Sequence, residues 1–237
     1  MESNIIKIIT TLQGMGSDYN RLGMSRFGIN VKNAFGISMV QLKLLAKTIG
    51  KNHQLALELW QTEYHEARIL AILIDDPKQL SNSQIGNWAA DFNSWDLCDQ
   101  ACMKLFCYNS ALALPKIEEW VVSEQEFIKR ASFALMAALS LHYKPKNNEI
   151  FTHFLEIILL NANDERNFVK KAVNWALRQI GKRNLFLHEA AIETANTISY
   201  NYSGSKAAIW IAKDALRELY NEKIMLKIAK SRHNEIN

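Results

Sequence analysis

Few positions in this chain can stop a helix. Its 237 residues include only 3 prolines and 9 glycines, the residue types that punctuate helices and force turns. Helix starts, by contrast, recur. Ser38-Met39-Val40-Gln41, Ser81-Asn82-Ser83-Gln84 and Ser123-Glu124-Gln125-Glu126 each match a capping box, in which the hydroxyl accepts the third backbone N–H and the Glu or Gln accepts one in return. After Ser38 the apolar Leu42, Leu45 and Ile49 follow at helical spacing, and Gly50 supplies a stop. Further helices are expected near 2–13, 53–73, 94–107, 109–119, 124–143, 147–161, 165–181, 185–199, 205–218 and 220–231. No alternating apolar–polar pattern competes with them.

These expected helices are joined by short links such as Lys144-Pro145-Lys146-Asn147-Asn148. Antiparallel pairs returning about every 40 residues correspond to HEAT or armadillo repeats. The expectation is therefore an all-α chain, a single domain over residues 1–237 built as an α-solenoid of HEAT-like antiparallel helix pairs. Such a stack leaves a concave face for an extended partner, here a basic one. A globular α-bundle is the competing fold.

Charge and cysteine narrow the function. Up to residue 115 there are ten basic and ten acidic side chains; from residue 116 there are eighteen and fourteen, so the whole formal charge of +4 sits in the second half. That asymmetry permits a polyanionic partner without requiring one. Cys98, Cys102 and Cys107 form no CxxC spacing, which argues against zinc and for reduced, buried thiols. Neither a metal nor a cofactor is expected. The first residues, MESNIIKIITTLQGM, carry Lys7 within their apolar run and suit neither a signal peptide nor a membrane span. A soluble, cytoplasmic monomer is expected.

Two stretches stand out. In DERNFVKKAVNWALRQIGKR, residues 164–183, Val169, Ala172, Val173, Ala176, Leu177 and Ile180 form one apolar stripe at about 100° per residue. Phe168, Lys171, Trp175, Arg178 and Lys182 form a second stripe on another face. Either Trp175 packs on a neighbouring helix among solvated cations, or the stripe meets nucleic acid, cations on phosphates and the ring on a sugar or base. In NSWDLCDQ, residues 93–100, Ser94 is the expected N-cap, and Trp95 and Asp99 are neighbours four apart on one face. Asp96 in the first turn suits the helix dipole, so the stretch reads equally as a stable helix start. Lys129 and Arg130 precede a helix that is apolar nearly all round. Pairing with Glu126 and contact with phosphate are both open for them.

In order along the chain, SWDLCD, EFIKRASFAL and FVKKAVNWALRQIGK resemble the AlkD-type family of DNA glycosylases, which are built from HEAT-like repeats. RFGINVKNAFGISMVQLKLLAK and YHEARILAILIDD agree, so the resemblance runs from about residue 20 to about residue 215. It implies hydrolysis of the N-glycosidic bond of positively charged alkylpurines, N3-methyladenine and N7-methylguanine, in double-stranded DNA, without strand cleavage. It further implies that Asp99 is the catalytic carboxylate, that Trp95 and Trp175 cradle the lesion's deoxyribose, and that Arg130 contacts the adjacent phosphate. Lys171, Arg178 and Lys182, with Lys129 and Lys170 beside them, are then DNA-backbone contacts. The 45 positions between Arg130 and Trp175 suggest a lengthened loop around Lys144–Asn148.

The chemistry accords with those residue types. A cationic alkylpurine is already a good leaving group, and positive charge develops on the sugar as the bond breaks. One carboxylate can stabilise that charge and orient water, while indole faces add to the stabilisation. No helix-hairpin-helix glycine loop and no lysine-nucleophile motif is present, which disfavours base flipping into a pocket and lyase chemistry. The alternative is a non-catalytic HEAT-like module that binds nucleic acid or protein through its basic face.

Overall fold

The computed structural model describes residues 2–145 and 147–236. Every regular element among them is helical, and none of these helices is long and apolar enough to cross a membrane. The chain resolves into two compact units, Met1–Leu112 and Ala113–Asn237.

The first unit contains α1 (Glu2–Gly14), α2 (Asp18–Arg26), α3 (Met39–Ile49), α4 (His53–Trp60), α5 (His65–Ile74), α6 (Asn82–Ala90) and α7 (Trp95–Lys104), followed by a 3-10 turn at Phe106–Tyr108. Helix α5 is its axis: it packs on α3, α4 and α7, and every residue from His65 to Ile72 is buried. The helix expected over 53–73 is in fact two helices. The chain turns between Trp60 and His65, where Glu63 takes φ 59° and Thr62 Oγ1 donates to Leu59 O at 2.7 Å. Trp60 fixes the break. Its ring stacks on Trp88 at 3.9 Å and 3°, and its Nε1 donates to Asp91 Oδ2 at 2.7 Å. Helix α2 has no counterpart among the expected helices. None of its residues is buried, so no apolar period marked it; Ser17 caps it by accepting from Asn20 N at 3.3 Å.

The second unit carries most of α8 (Ser110–Val121), then α9 (Glu126–His142), α10 (Glu149–Asn161), α11 (Asn167–Ile180), α12 (Leu185–Asn201), α13 (Lys206–Leu219) and α14 (Glu222–Ile236). Helices α9, α11 and α13 pack side by side in one layer, and α10, α12 and α14 in a second. This is a stack of antiparallel pairs. Phe127-Ile128-Lys129-Arg130-Ala131 of α9 recurs as Phe168-Val169-Lys170-Lys171-Ala172 of α11, and the two phenylalanine rings meet at 5.4 Å. The apolar stripe of α11 is wholly buried, with Val169, Ala172, Val173, Ala176, Leu177 and Ile180 all at 0% exposure. At its end a Cβ on Gly181 would lie 2.7 Å from Leu219 Cδ2 and 2.9 Å from Ala191 Cβ, so glycine there permits α12 and α13 to close on α11.

The capping boxes met different fates. Ser38 and Gln41 form the reciprocal pair. Ser81 Oγ accepts from Gln84 N at 3.1 Å, but the Gln84 amide turns inward to donate to buried Asp75 Oδ2 at 2.7 Å. At the third box the N-cap is Gln125 rather than Ser123. Glu126 Oε1 instead accepts from Phe168 N at 3.0 Å, at the start of α11. A tertiary partner that would otherwise be an orphan helix-terminal N–H outcompetes the local box. The motif recurs: Glu165 Oε1 accepts from Ala207 N at 3.1 Å and Ser205 Oγ at 2.8 Å at the start of α13. In the first unit buried Glu66 takes Phe35 N at 2.8 Å, Gly36 N at 2.7 Å and Ile37 N at 3.1 Å.

Glu66 tests the weight of these bonds. Glutamine keeps the shape but turns an NH₂ toward backbone donors, so Glu66→Gln is expected to cost about 2–3 kcal/mol. The check is a lower urea midpoint at unchanged slope.

Candidate active site

In the first unit the stretch that holds Trp95 and Asp99 is fixed from below. Ser94 occupies the N-cap position but does not cap through its side chain. It is fully buried, and its Oγ donates to Asp96 Oδ1 at 2.6 Å. The other Asp96 oxygen accepts from His65 Nε2 at 2.9 Å. Asp96 therefore does more than complement the α7 dipole: it ties the first turn of α7 to the first residue of α5. Burial opposes charge on both groups. The mutual hydrogen bond and attraction outweigh it, raising the His65 pKa above its ordinary value and lowering that of Asp96.

Above this anchor, Trp95 and Asp99 share one half-exposed face of α7. The Trp95 Nε1 donates to Phe27 O at 2.9 Å, which holds the indole at the edge of a groove of about 860 Å³ lined by α2, α3 and α7, with Tyr19, Met24, Met39 and Gln100 among its residues. The Trp95 ring is a groove wall, neither a core residue nor a free surface one. Behind it, the thiols of Cys98, Cys102 and Cys107 are buried. Burial first, then the neighbouring Cys98 thiol and the Asp99 carboxylate, push the Cys102 thiol well above its usual range. Burial pushes Cys107 up to about 12.

In the second unit Arg130 is buried, at 5% exposure. Its Nη1 donates to Phe168 O at 2.6 Å, while Glu126 takes the N–H of the same residue. One turn of α9 thus grips both polar groups of Phe168. Lys129 pairs with Asp164 at 3.2 Å, as does Arg166 at 2.6 Å. Burial would raise the Asp164 pKa, but these two cations hold it at about 2.

Along α11, Lys171 is exposed and Lys170 lies over the Trp210 ring at 6.0 Å. Trp175 is half-buried, and its Nε1 donates to the Gln179 side-chain oxygen at 3.2 Å, an oxygen that also accepts from Lys182 Nζ at 3.0 Å. Arg178 and Lys182 both reach Glu218 of α13, the latter at 2.6 Å. Asp214 stands 4.0 Å from Arg178 Nε. Trp175, Lys171, Arg178 and Lys182 thus lie along one flank of α11, but two of its cations are already engaged by acids of the next repeat. The sequence reading missed those acids and His65. Asp214 and Glu218, four apart on an amphipathic helix, were the available signal for the first; nothing local marked the second.

The His65–Asp96 pair has a pH signature. A histidine whose folded pKa is raised contributes stability that is fully present below its unfolded value of about 6.5 and is lost as pH rises through the folded value. The stability difference between wild type and His65→Gln, measured by urea denaturation, is therefore expected to be largest near pH 6 and to shrink by about pH 9. A difference that grows with pH would contradict the pairing.

Comparison with known proteins places this geometry. Among solved structures, a member of a family described as related to the HEAT-like repeat DNA glycosylases with affinity for branched DNA structures superposes with a TM-score of 0.72 at 22% identity, over 81% of this chain and 82% of that one. That likeness identifies the stack of helix pairs as a HEAT-like α-solenoid. No curated protein matches. A family model of DNA alkylation repair enzymes matches residues 8–219, nearly the whole described chain. The protein belongs to the DNA alkylation repair enzyme family.

Proposed function

We propose that this protein is a monofunctional glycosylase that hydrolyses the N-glycosidic bond of cationic alkylpurines, N3-methyladenine and N7-methylguanine, in duplex DNA. The observation that carries the reading is the α7 face. Trp95 and Asp99 stand one turn apart, half-exposed on one face of a helix whose first turn is held by the His65–Asp96 pair, and the Trp95 ring lines a groove. In this reading Asp99 stabilises the positive charge that develops on the deoxyribose and orients the attacking water. The Trp95 ring adds its π-face to the same charge. Trp175 meets the sugar and Lys171, Arg178 and Lys182 the phosphates, with Lys129 and Lys170 contributing field. Arg130 acts on phosphate through the N-terminal turn of α11 that it holds. No lysine nucleophile enters, so the product is an intact strand with an abasic site.

The test is release of methylated purines from methylated duplex DNA under single-turnover conditions. Asp99→Asn is expected to lower the rate by about 100-fold or more while changing duplex affinity by less than about threefold. No release by the wild type, with salt-dependent DNA binding intact, would leave a non-catalytic HEAT-like module instead. Strand cleavage without added base would refute the monofunctional assignment.

The pairing of Arg178 and Lys182 with Glu218 makes a second prediction. DNA must displace that carboxylate to use either cation. Glu218→Gln is expected to tighten duplex binding and to steepen the dependence of log affinity on log salt by about 1–2 units. An unchanged slope would remove these two cations from the interface.

A further inference from the structure

A second cluster of cations in the second unit shares only Lys182 with the site above. A recess of about 890 Å³ opens between the α9–α10 connection, the end of α11 and α14. Lys144, Lys182, Arg183 and Lys227 line it, and no aspartate or glutamate does. Lys182 is shared with Glu218. Lys144, Arg183 and Lys227 form no ion pair among the described residues. The contrast with the α11–α13 face is sharp, because there each acid sits on a cation.

Arg183 is the informative member. Its Nη1 donates to Ser140 O, and its guanidinium lies over the Phe151 ring at 3.8 Å, so the side chain is held in place. Its Nε is buried without a hydrogen-bond partner, and burial alone draws its pKa below the ordinary value. A fixed, half-buried guanidinium with no carboxylate nearby is costly unless an anion completes it. Apart from Ser140 the other polar side chains of the recess are amides, among them Asn147 and Gln179, which offer donors to phosphate and sugar oxygens. The volume exceeds what one small anion fills, and the cations come from three separate elements.

We infer that this recess is a phosphate-binding subsite that grips the sugar–phosphate backbone of DNA, sharing Lys182 with the contacts assigned above but otherwise distinct from those of Trp175, Lys171 and Arg178. It rests on the reading of the protein as DNA-binding, but not on its catalysis. Gln179 joins the two, since it bonds both Trp175 and Lys182 and also lines the recess.

The test is the salt dependence of equilibrium binding to unmodified and to methylated duplex. Lys144 and Lys227 are exposed, so Lys144→Gln with Lys227→Gln leaves the fold intact. This pair is expected to lower the slope of log affinity against log salt by about 2, at about 0.9 per phosphate contact. Lys43→Gln with Lys47→Gln, exposed in the first unit, changes the net charge equally and should leave the slope within about 0.5 of wild type. Arg183→Gln, if it folds, should weaken binding to both duplexes by about tenfold or more. An unchanged slope in the recess pair, or an equal loss in the control pair, would overturn the proposal. So would calorimetry in which pyrophosphate binds the wild type, fails to bind the recess pair, and DNA binding is unaffected, because the recess would then take a small anion. A protein that releases no methylated purine yet shows the slope change would lose its glycosylase assignment and keep this subsite.

Discussion

The register of this helical stack depends on carboxylates that bond backbone N–H groups of a neighbouring repeat, two of them at helix starts. Glu126 holds Phe168 N, Glu165 holds Ala207 N, and Glu66 holds three successive amides ahead of α3. Apolar stripes alone would let neighbouring helices slide by a turn, since one buried alanine or leucine resembles the next. A charged acceptor bonded to a specific peptide removes that freedom, and where it is buried, as Glu66 is, any other register leaves it without its donors. Arg130 completes the device in the second unit by taking the carbonyl of the residue whose N–H Glu126 holds.

The same device sets up the proposed DNA-contacting surface. With the start of α11 fixed against α9, the flank bearing Trp175, Arg178 and Lys182 is fixed too. The acids of α13 then hold the cations extended and ordered before any ligand arrives. A duplex that binds there exchanges one set of ion pairs for another, which favours discrimination over raw affinity. In the first unit the corresponding role falls to a histidine. The His65–Asp96–Ser94 chain ties the first turn of α7 to α5 and leaves the Trp95–Asp99 face half-exposed.

Much of this was legible in the sequence where a periodic signal was long. The two stripes of α11 could be read because they run for four turns, and the buried one is buried without exception. The Ser38 box could be read because all its partners are local. Elsewhere the deciding partner was distant. Ser123-Glu124-Gln125-Glu126 carries the letters of a capping box, but Glu126 is engaged by a residue 42 positions on. His65 and Asp96 are 31 positions apart, with no motif to join them. Helix α2 buries nothing, so it has no period to detect. Of the candidate site, the tryptophans and the carboxylate were visible as residues in a familiar order; the acids that restrain the basic flank were not, because their meaning lies wholly in what they face.

The three cysteines acquire a meaning in this setting. A repair enzyme for alkylated DNA works where electrophilic alkyl donors are present, and a thiolate is a better target for them than any nucleic-acid base nitrogen. Cys98, Cys102 and Cys107 are shut away from solvent around the very helix that bears Asp99. A thiol at about 12, as for Cys107, is ionised in only roughly one molecule in 10⁵ at neutral pH. For the proposed repair activity, the thiols packed around α7 are thereby kept from the electrophiles that damage DNA.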